Sequence, residues 1–342
     1  MTISAIARRW QTKLVAAIAA VAMIFGIAVV AADRAEASPN RAHLRAGCTW
    51  DPYNYWVQHC MVWSPAMNTH VPVQIVPSRD GGNAALYMLD GLRNPRNHSD
   101  WVWQGHAPRI FENSNLNLVM PGGGEGSFWT DWKRPSFAAD RGQFNYQWET
   151  FLTQELPVYL QNEFGIRRDN NSVAGLSMGA SSAMSLAYNH RDMFNQVIAM
   201  SGYLHTTAPG MHAAIGIALA DAGGYNAFDM WGAPLSDAWR RNDPFLNIDK
   251  MKGLDIQILS ANGVPSYWSD PKALYERLPN DVGGIALEAL SRASTIEFEA
   301  AARAQGLQFD VQYSPDGIHS WDLWERDLGW VKPRILNHQN AW

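Results

Sequence analysis

The segment Gly175-Leu176-Ser177-Met178-Gly179 carries the strongest chemical signal in the chain. It follows a short apolar run and leads into Ala180, Ser181 and Ser182, where helical patterning begins. G-x-S-x-G between a strand and a helix is the mark of a nucleophile elbow, a sharp turn that lifts a serine hydroxyl off a strand end. Glycine is needed on both sides because a side chain there would clash. The helix that follows brings the positive end of its dipole close to the hydroxyl. Ser177 is therefore the expected nucleophile.

A serine nucleophile needs a base. Among the 10 histidines, His319 stands out. It lies in Ser314-Pro315-Asp316-Gly317-Ile318-His319-Ser320-Trp321, a loop just after the last expected strand. His190 reads as the end of a helix, and His43, His59, His70 and His338 as surface residues. His98 and His106 could line a cleft but come too early in the chain. The acid that orients the histidine should fall between Ser177 and His319. The loop after Asp255–Leu259, its usual place, holds no carboxylate before Asp270. The residues alone leave Asp270, Glu276, Asp281, Glu288, Glu297 and Glu299 open. Acyl transfer also requires donors for a developing oxyanion. The Met178 amide is one. The Leu92 amide, in Asp90-Gly91-Leu92-Arg93 after an early strand, is the other.

Several elements must position these groups. Strands are expected at His70–Pro77, Ala84–Leu89, Leu116–Met120, Ser172–Leu176, Val197–Met200, Asp255–Leu259 and Gln308–Tyr313. Several are unbroken apolar runs, as buried parallel strands are. Helices are expected at Tyr146–Phe164, Met178–Tyr188 and Ile285–Ala304. The alternation implies an α/β domain with a mostly parallel central sheet flanked by helices. Residues 203–250, rich in Gly, Pro and Trp, read as an insertion over the carboxyl ends of the strands, where open α/β sheets bind ligands.

The composition agrees with a large globular core: 342 residues, 47% hydrophobic and 17% charged. A net charge of −5 argues against nucleic acid as a partner. The 16 tryptophans suggest rings on an exposed cleft that meets sugar or lipid. At the N-terminus, Arg8, Arg9 and Lys13 precede an apolar run from Leu14 to Ala32, and Ala35-Glu36-Ala37 offers a small-x-small cut site. Residues 1–37 are read as a secretory signal peptide. The run is also long enough to span a bilayer, so an uncleaved anchor is the alternative. Export makes Cys48 and Cys60 an expected disulfide in an N-terminal segment over residues 38–69.

The chain resembles the antigen 85 / corynebacterial mycolyltransferase family from about His70 to Trp324. The resemblance rests on Tyr87-Met88-Leu89-Asp90-Gly91-Leu92-Arg93, Phe128-Trp129-Thr130-Asp131-Trp132, Trp148-Glu149-Thr150-Phe151-Leu152 and the Ser177 elbow. It continues in Asp221-Ala222-Gly223-Gly224-Tyr225, Asp229-Met230-Trp231-Gly232, Arg241-Asn242-Asp243-Pro244 and His319-Ser320-Trp321. It implies an α/β-hydrolase fold over residues 70–342. It also implies a secreted, cell-envelope acyltransferase moving mycoloyl groups between trehalose mycolates and onto arabinogalactan, at a lipid surface, with no metal or organic cofactor. Family members carry the acid in a Phe-Leu-Glu context, and Ala286-Leu287-Glu288 matches it, which assigns Glu288. Asp90, Arg93 and Trp321 are placed near the sugar.

The chain departs from the family at three points. Phe137–Tyr146 holds no cysteine, His205 replaces a common aspartate, and Ser260 stands where many members have a free cysteine. The rival readings are a secreted esterase with water as acceptor and a surface matrix-binding protein.

Overall fold

The structure is a computed structural model that describes residues 39–138 and 142–342. The leader expected over residues 1–37 lies outside the described residues. From Ser38 onward the chain is one compact unit.

The described strands form a nine-stranded sheet and a separate hairpin. The strands are β1 (Cys48–Trp50), β2 (Gln58–Ser64), β3 (Thr69–Val76), β4 (Ala85–Leu89), β5 (Asn117–Pro121), β6 (Ser136–Ala138), β7 (Gly142–Phe144), β8 (Asn171–Leu176), β9 (Phe194–Met200), β10 (Asp255–Ser260) and β11 (Asp310–Tyr313). The large sheet runs β1-β2-β3-β5-β4-β8-β9-β10-β11, and β6 pairs with β7. From β5 to β11 every pairing is parallel, whereas the pairings among β1, β2, β3 and β5 are antiparallel. Strand order reverses between β4 and β8, where an open α/β sheet leaves a crevice.

β4 reads as a continuous apolar run because every residue in it is buried. Fully burying one such Leu or Met side chain contributes about 1.5–3 kcal/mol. β2 alternates buried and exposed positions and mixes Gln, His, Cys and Ser. Its apolar signal is weak, and the sequence reading passed over it. It pairs with β3 along its whole length, so β1 and β2 extend the same sheet. Cys48 and Cys60 face each other across β1 and β2 and are joined by a disulfide.

Helices cover both faces. Those used below are α1 (Asp100–Trp103), α2 (Leu156–Phe164), α3 (Met178–Asn189), α4 (Met211–Gly223), α5 (Pro271–Ala304) and α6 (Trp321–Gln339). The expected helix over 146–164 is interrupted by a π-helical turn, Phe151–Glu155, ahead of α2. α5 begins at Pro271, well before Ile285. Asp270 caps it by accepting from the Lys272 and Ala273 amides, and Pro279 sits inside it.

Register decides where the chemistry meets. Leu89 lies opposite Gly175, Leu176 opposite Met200, Met200 opposite Leu259 and Ser260 opposite Tyr313. Five strands therefore end level with one another. The segments that follow them leave from one edge: Asp90 onward, Ser177, Ser201, Ala261 and Ser314 to His319.

Candidate active site

Ser177 sits at φ 52°, ψ −121°, a strained backbone for a residue with a side chain. The two glycines are what make the turn possible. A Cβ at Gly175 would lie 2.0 Å from the Gly179 carbonyl oxygen, and one at Gly179 would lie 2.4 Å from that of Leu89. The Ser177 hydroxyl is 2.8 Å from His319 Nε2. The other ring nitrogen, Nδ1, is 2.9 Å from Glu288 Oε2. The His319 amide donates to the Gly284 carbonyl, tying the loop to α5 at 3.0 Å.

Glu288 is fully buried. Its Oε1 accepts from the Ala261 amide at 2.8 Å and the Ser201 hydroxyl at 3.0 Å, and Trp324 Nε1 donates to that hydroxyl oxygen at 3.0 Å. A buried carboxyl group must be hydrogen-bonded, and this one has donors at both oxygens. The other candidate acids do other work. Asp270 caps α5. Asp281 accepts from the Tyr267 hydroxyl, and Glu276 faces Lys272. Glu297 meets His205, while Glu299 takes Arg303 and the Tyr313 hydroxyl. Ser260, whose hydroxyl lies 3.4 Å from Glu288 Oε1, joins the carboxylate's surroundings. His205 stacks on Phe245 at 4.0 Å.

Leu92 and Met178 both line a cavity of about 440 Å³ that holds Ser177 and His319 in its wall. Among the described residues, neither amide donates to a backbone carbonyl outside helix or strand. Asp90 borders the same cavity, but the residue is only 1% exposed and its carboxyl is already hydrogen-bonded. Asn94 Nδ2 and the Asp100 amide donate to one oxygen and the Ser99 hydroxyl to the other. Burial pushes this carboxyl up to about 8. Asp90, expected near the sugar, thus also braces the loop that carries Leu92. Trp129 supports the same loop by donating to the Asp90 carbonyl at 3.0 Å. Arg93 is exposed and forms an ion pair with Asp221 of α4. Trp321 lines the cavity at the start of α6.

The remaining walls are mostly apolar: Phe128, Leu176, Met211 and Ile215 beside Leu287 and Leu290 of α5. The insertion thus lies over the strand ends, as its composition suggested. The tryptophans serve the interior first. Trp101, Trp129, Trp148, Trp231 and Trp239 are among the largest fully buried side chains. No local signal marked Ser201, Trp324, Phe128 or Tyr203 as part of the site. Their place follows from register and from the insertion.

The family described as "Putative esterase" matches residues 64–335. The diacylglycerol acyltransferase/mycolyltransferase Ag85A of Mycobacterium tuberculosis (strain ATCC 25618 / H37Rv) is 39% identical over 82% of this chain and 80% of its own length. The diacylglycerol acyltransferase/mycolyltransferase Ag85B of Mycobacterium avium is 34% identical over 96% of this chain and 94% of its own. The chain belongs to the antigen 85 mycolyltransferase family. Membership makes it an acyltransferase on an esterase fold. The crystal structure of Mycobacterium tuberculosis MPT51 (FbpC1) superposes with a TM-score of 0.68 at 28% identity, covering 82% of this chain and 98% of that one. The Staphylococcus aureus fluorophosphonate-binding serine hydrolase F shares the fold at a TM-score of 0.61 and 14% identity, over 81% and 96% of the two chains.

Several antigen 85 motif residues turn out to be scaffolding. Glu149 binds His190 at 2.6 Å and pairs with Arg241, and these partners hold its carboxyl down at about 2 despite burial. Asp131 accepts from the Thr150 amide and hydroxyl at 3.0 and 2.7 Å. Asp243 accepts from the Thr207 amide at 2.8 Å.

Proposed function

We propose that this chain moves mycoloyl groups from trehalose monomycolate to trehalose glycolipid or arabinogalactan, through an acyl-Ser177 intermediate, outside the plasma membrane. The observation that carries the reading is the relay Ser177–His319–Glu288 opening into a deep, mostly apolar cavity. Ser177 donates its proton to His319 Nε2 as Oγ attacks the donor ester. Glu288 accepts from Nδ1, which fixes the tautomer and stabilises the charged imidazole. The Leu92 and Met178 amides receive the oxyanion. His319 returns the proton to the leaving trehalose oxygen, then takes one from the incoming sugar hydroxyl as it attacks the acyl carbon, and gives it to Ser177 Oγ as the acyl–serine bond breaks.

Leu287 and Leu290 suit an acyl chain, since they line the cavity while remaining about 45% exposed. Ile217 of α4 is 70% exposed, an apolar side chain suited to a lipid surface. The Cys48–Cys60 disulfide agrees with an oxidising compartment.

Brief incubation with trehalose monomycolate followed by intact-mass spectrometry tests the reading. The expected result is a mycoloyl adduct on the parent chain and none on Ser177→Ala. A parent chain that forms no adduct, or transfer unchanged by Ser177→Ala, would overturn it. An adduct discharged mainly as free mycolate would assign the chain to the esterase reading instead.

A further inference from the structure

A track of aromatic and polar side chains leaves the cavity on one side. It starts at Asp100, which borders the cavity at the first position of α1. His98 Nε2 lies 3.5 Å from the Asp100 carboxylate, and the His98 ring is 6.4 Å from Trp103. Trp103, three residues beyond Asp100, is 39% exposed. Tyr53 meets it edge-on at 5.3 Å, and Tyr55 follows at 5.8 Å. His106 lies 6.2 Å from Tyr53 and faces Glu325, which also takes Arg109.

The segment that presents these rings is strained. Asn54, Tyr55 and Trp56 all have positive φ, at 70°, 49° and 58°. Consecutive left-handed residues with large side chains are costly and persist only where the surroundings over-determine them. Here the determinant is Asp51, 6% exposed. Its carboxylate accepts from the Tyr53 amide at 2.8 Å and from Gln74 Nε2 at 2.6 Å. Gln74 Oε1 in turn accepts from the Ser99 amide at 2.7 Å, and the Ser99 hydroxyl donates to Asp90 at 3.2 Å. A buried polar chain therefore joins the aromatic segment to the loop that carries Leu92.

We infer that Tyr55, Tyr53, Trp103 and His98 form an accessory binding platform for a glycan chain whose terminal hydroxyl enters the cavity. Sugar rings set their C–H faces on flat aromatic rings, while imidazole, carboxylate and guanidinium groups at the ring edges take the hydroxyls. A lipid tail has no use for His98, Asp100, Arg109 and Glu325. The mixed signs of those groups also give no field for a polyanion. The inference rests on the proposal that the acyl acceptor is a sugar, and it adds where the rest of a long acceptor lies.

The test uses the full chain carrying Ser177→Ala, so that nothing turns over, titrated by calorimetry with a linear arabinofuranosyl hexasaccharide and, separately, with trehalose. Adding Trp103→Ala should weaken hexasaccharide binding about tenfold, a loss of about 1.4 kcal/mol, with a much smaller change for trehalose. Trp103→Phe, which keeps a flat face, should retain most of the affinity and covers the case in which the alanine variant folds poorly. Trp330→Ala, exposed elsewhere on α6, is the control. The platform is overturned if hexasaccharide does not bind, if Trp103→Ala binds it as the parent does, or if Trp330→Ala loses as much. These outcomes are independent of the acyl adduct, so a failed platform and a failed transfer reading are told apart.

Discussion

The two walls of the cavity are built on different terms. The wall that carries the elbow and the Asp90 loop is held from every direction. Ser177 is strained, Gly179 touches the Leu89 and Asp90 carbonyls, and Asp90 itself is surrounded by donors. The facing wall, α4, buries only Ile215 and Leu219 and is bracketed by Gly210 and Gly224, both left-handed. An exposed ion pair, Arg93–Asp221, also links it to the first wall. Precision is concentrated where bonds are made, and α4 is left loosely tied. Few buried contacts mark a segment that opens at low cost.

Perturbing each wall in turn should expose the contrast. The largest loss is expected from Glu288→Gln, which keeps the shape and removes the charge. It should lower kcat/KM by roughly 10²- to 10⁴-fold with little change in KM. Gly179→Ala should destabilise the fold by about 3 kcal/mol, since backbone rather than a flexible side chain must yield, and thermal unfolding reads this directly.

Asp90→Asn tests the same wall through pH. The Asp90 carboxyl stays protonated in the fold up to about 8, whereas in the unfolded chain it ionises near 4. Its contribution is therefore complete below about 4 and declines as pH rises toward 8. Denaturant titrations of Asp90→Asn should show a flatter pH dependence over that window. The smallest effect belongs to the loose wall. Asp221→Asn should cost less than about 1 kcal/mol, because the pair is exposed. It should shift KM for a long-chain donor more than kcat, and high salt acting on the parent should mimic it. A loss of stability from Asp221→Asn as large as that from Gly179→Ala would erase the distinction between the walls.

Much of the firm wall was legible in the sequence because its rules are local. An elbow must have glycine at 175 and 179, and β4 and β8 are buried on both faces, so β4 and the Val173–Leu176 half of β8 appear as unbroken apolar runs. Glu288 was not legible from spacing alone, because polarity around it is inverted. Leu287 and Leu290 face the opening, while Glu288, Ser291 and Thr295 are buried. A helix with its polar residues inward defeats the amphipathic rule, and only the family resemblance singled out the glutamate. α6 went unread because Pro333 and many charged residues mask its apolar face. The start of α5 was missed because Pro279 and Gly283-Gly284 look like breaks.

α5 has a consequence for how such an enzyme can diversify. The residue that powers the histidine and the residues that would select the lipid are neighbours in one helix, with Glu288 about 100° from Leu287 and about 160° from Leu290 around its axis. Point substitutions at 287 or 290 can retune chain preference freely. An inserted or deleted residue between Gly284 and Thr295 would rotate the glutamate away from His319. Lineages descending from this scaffold are therefore free to change side chains along that stretch but bound to conserve its length.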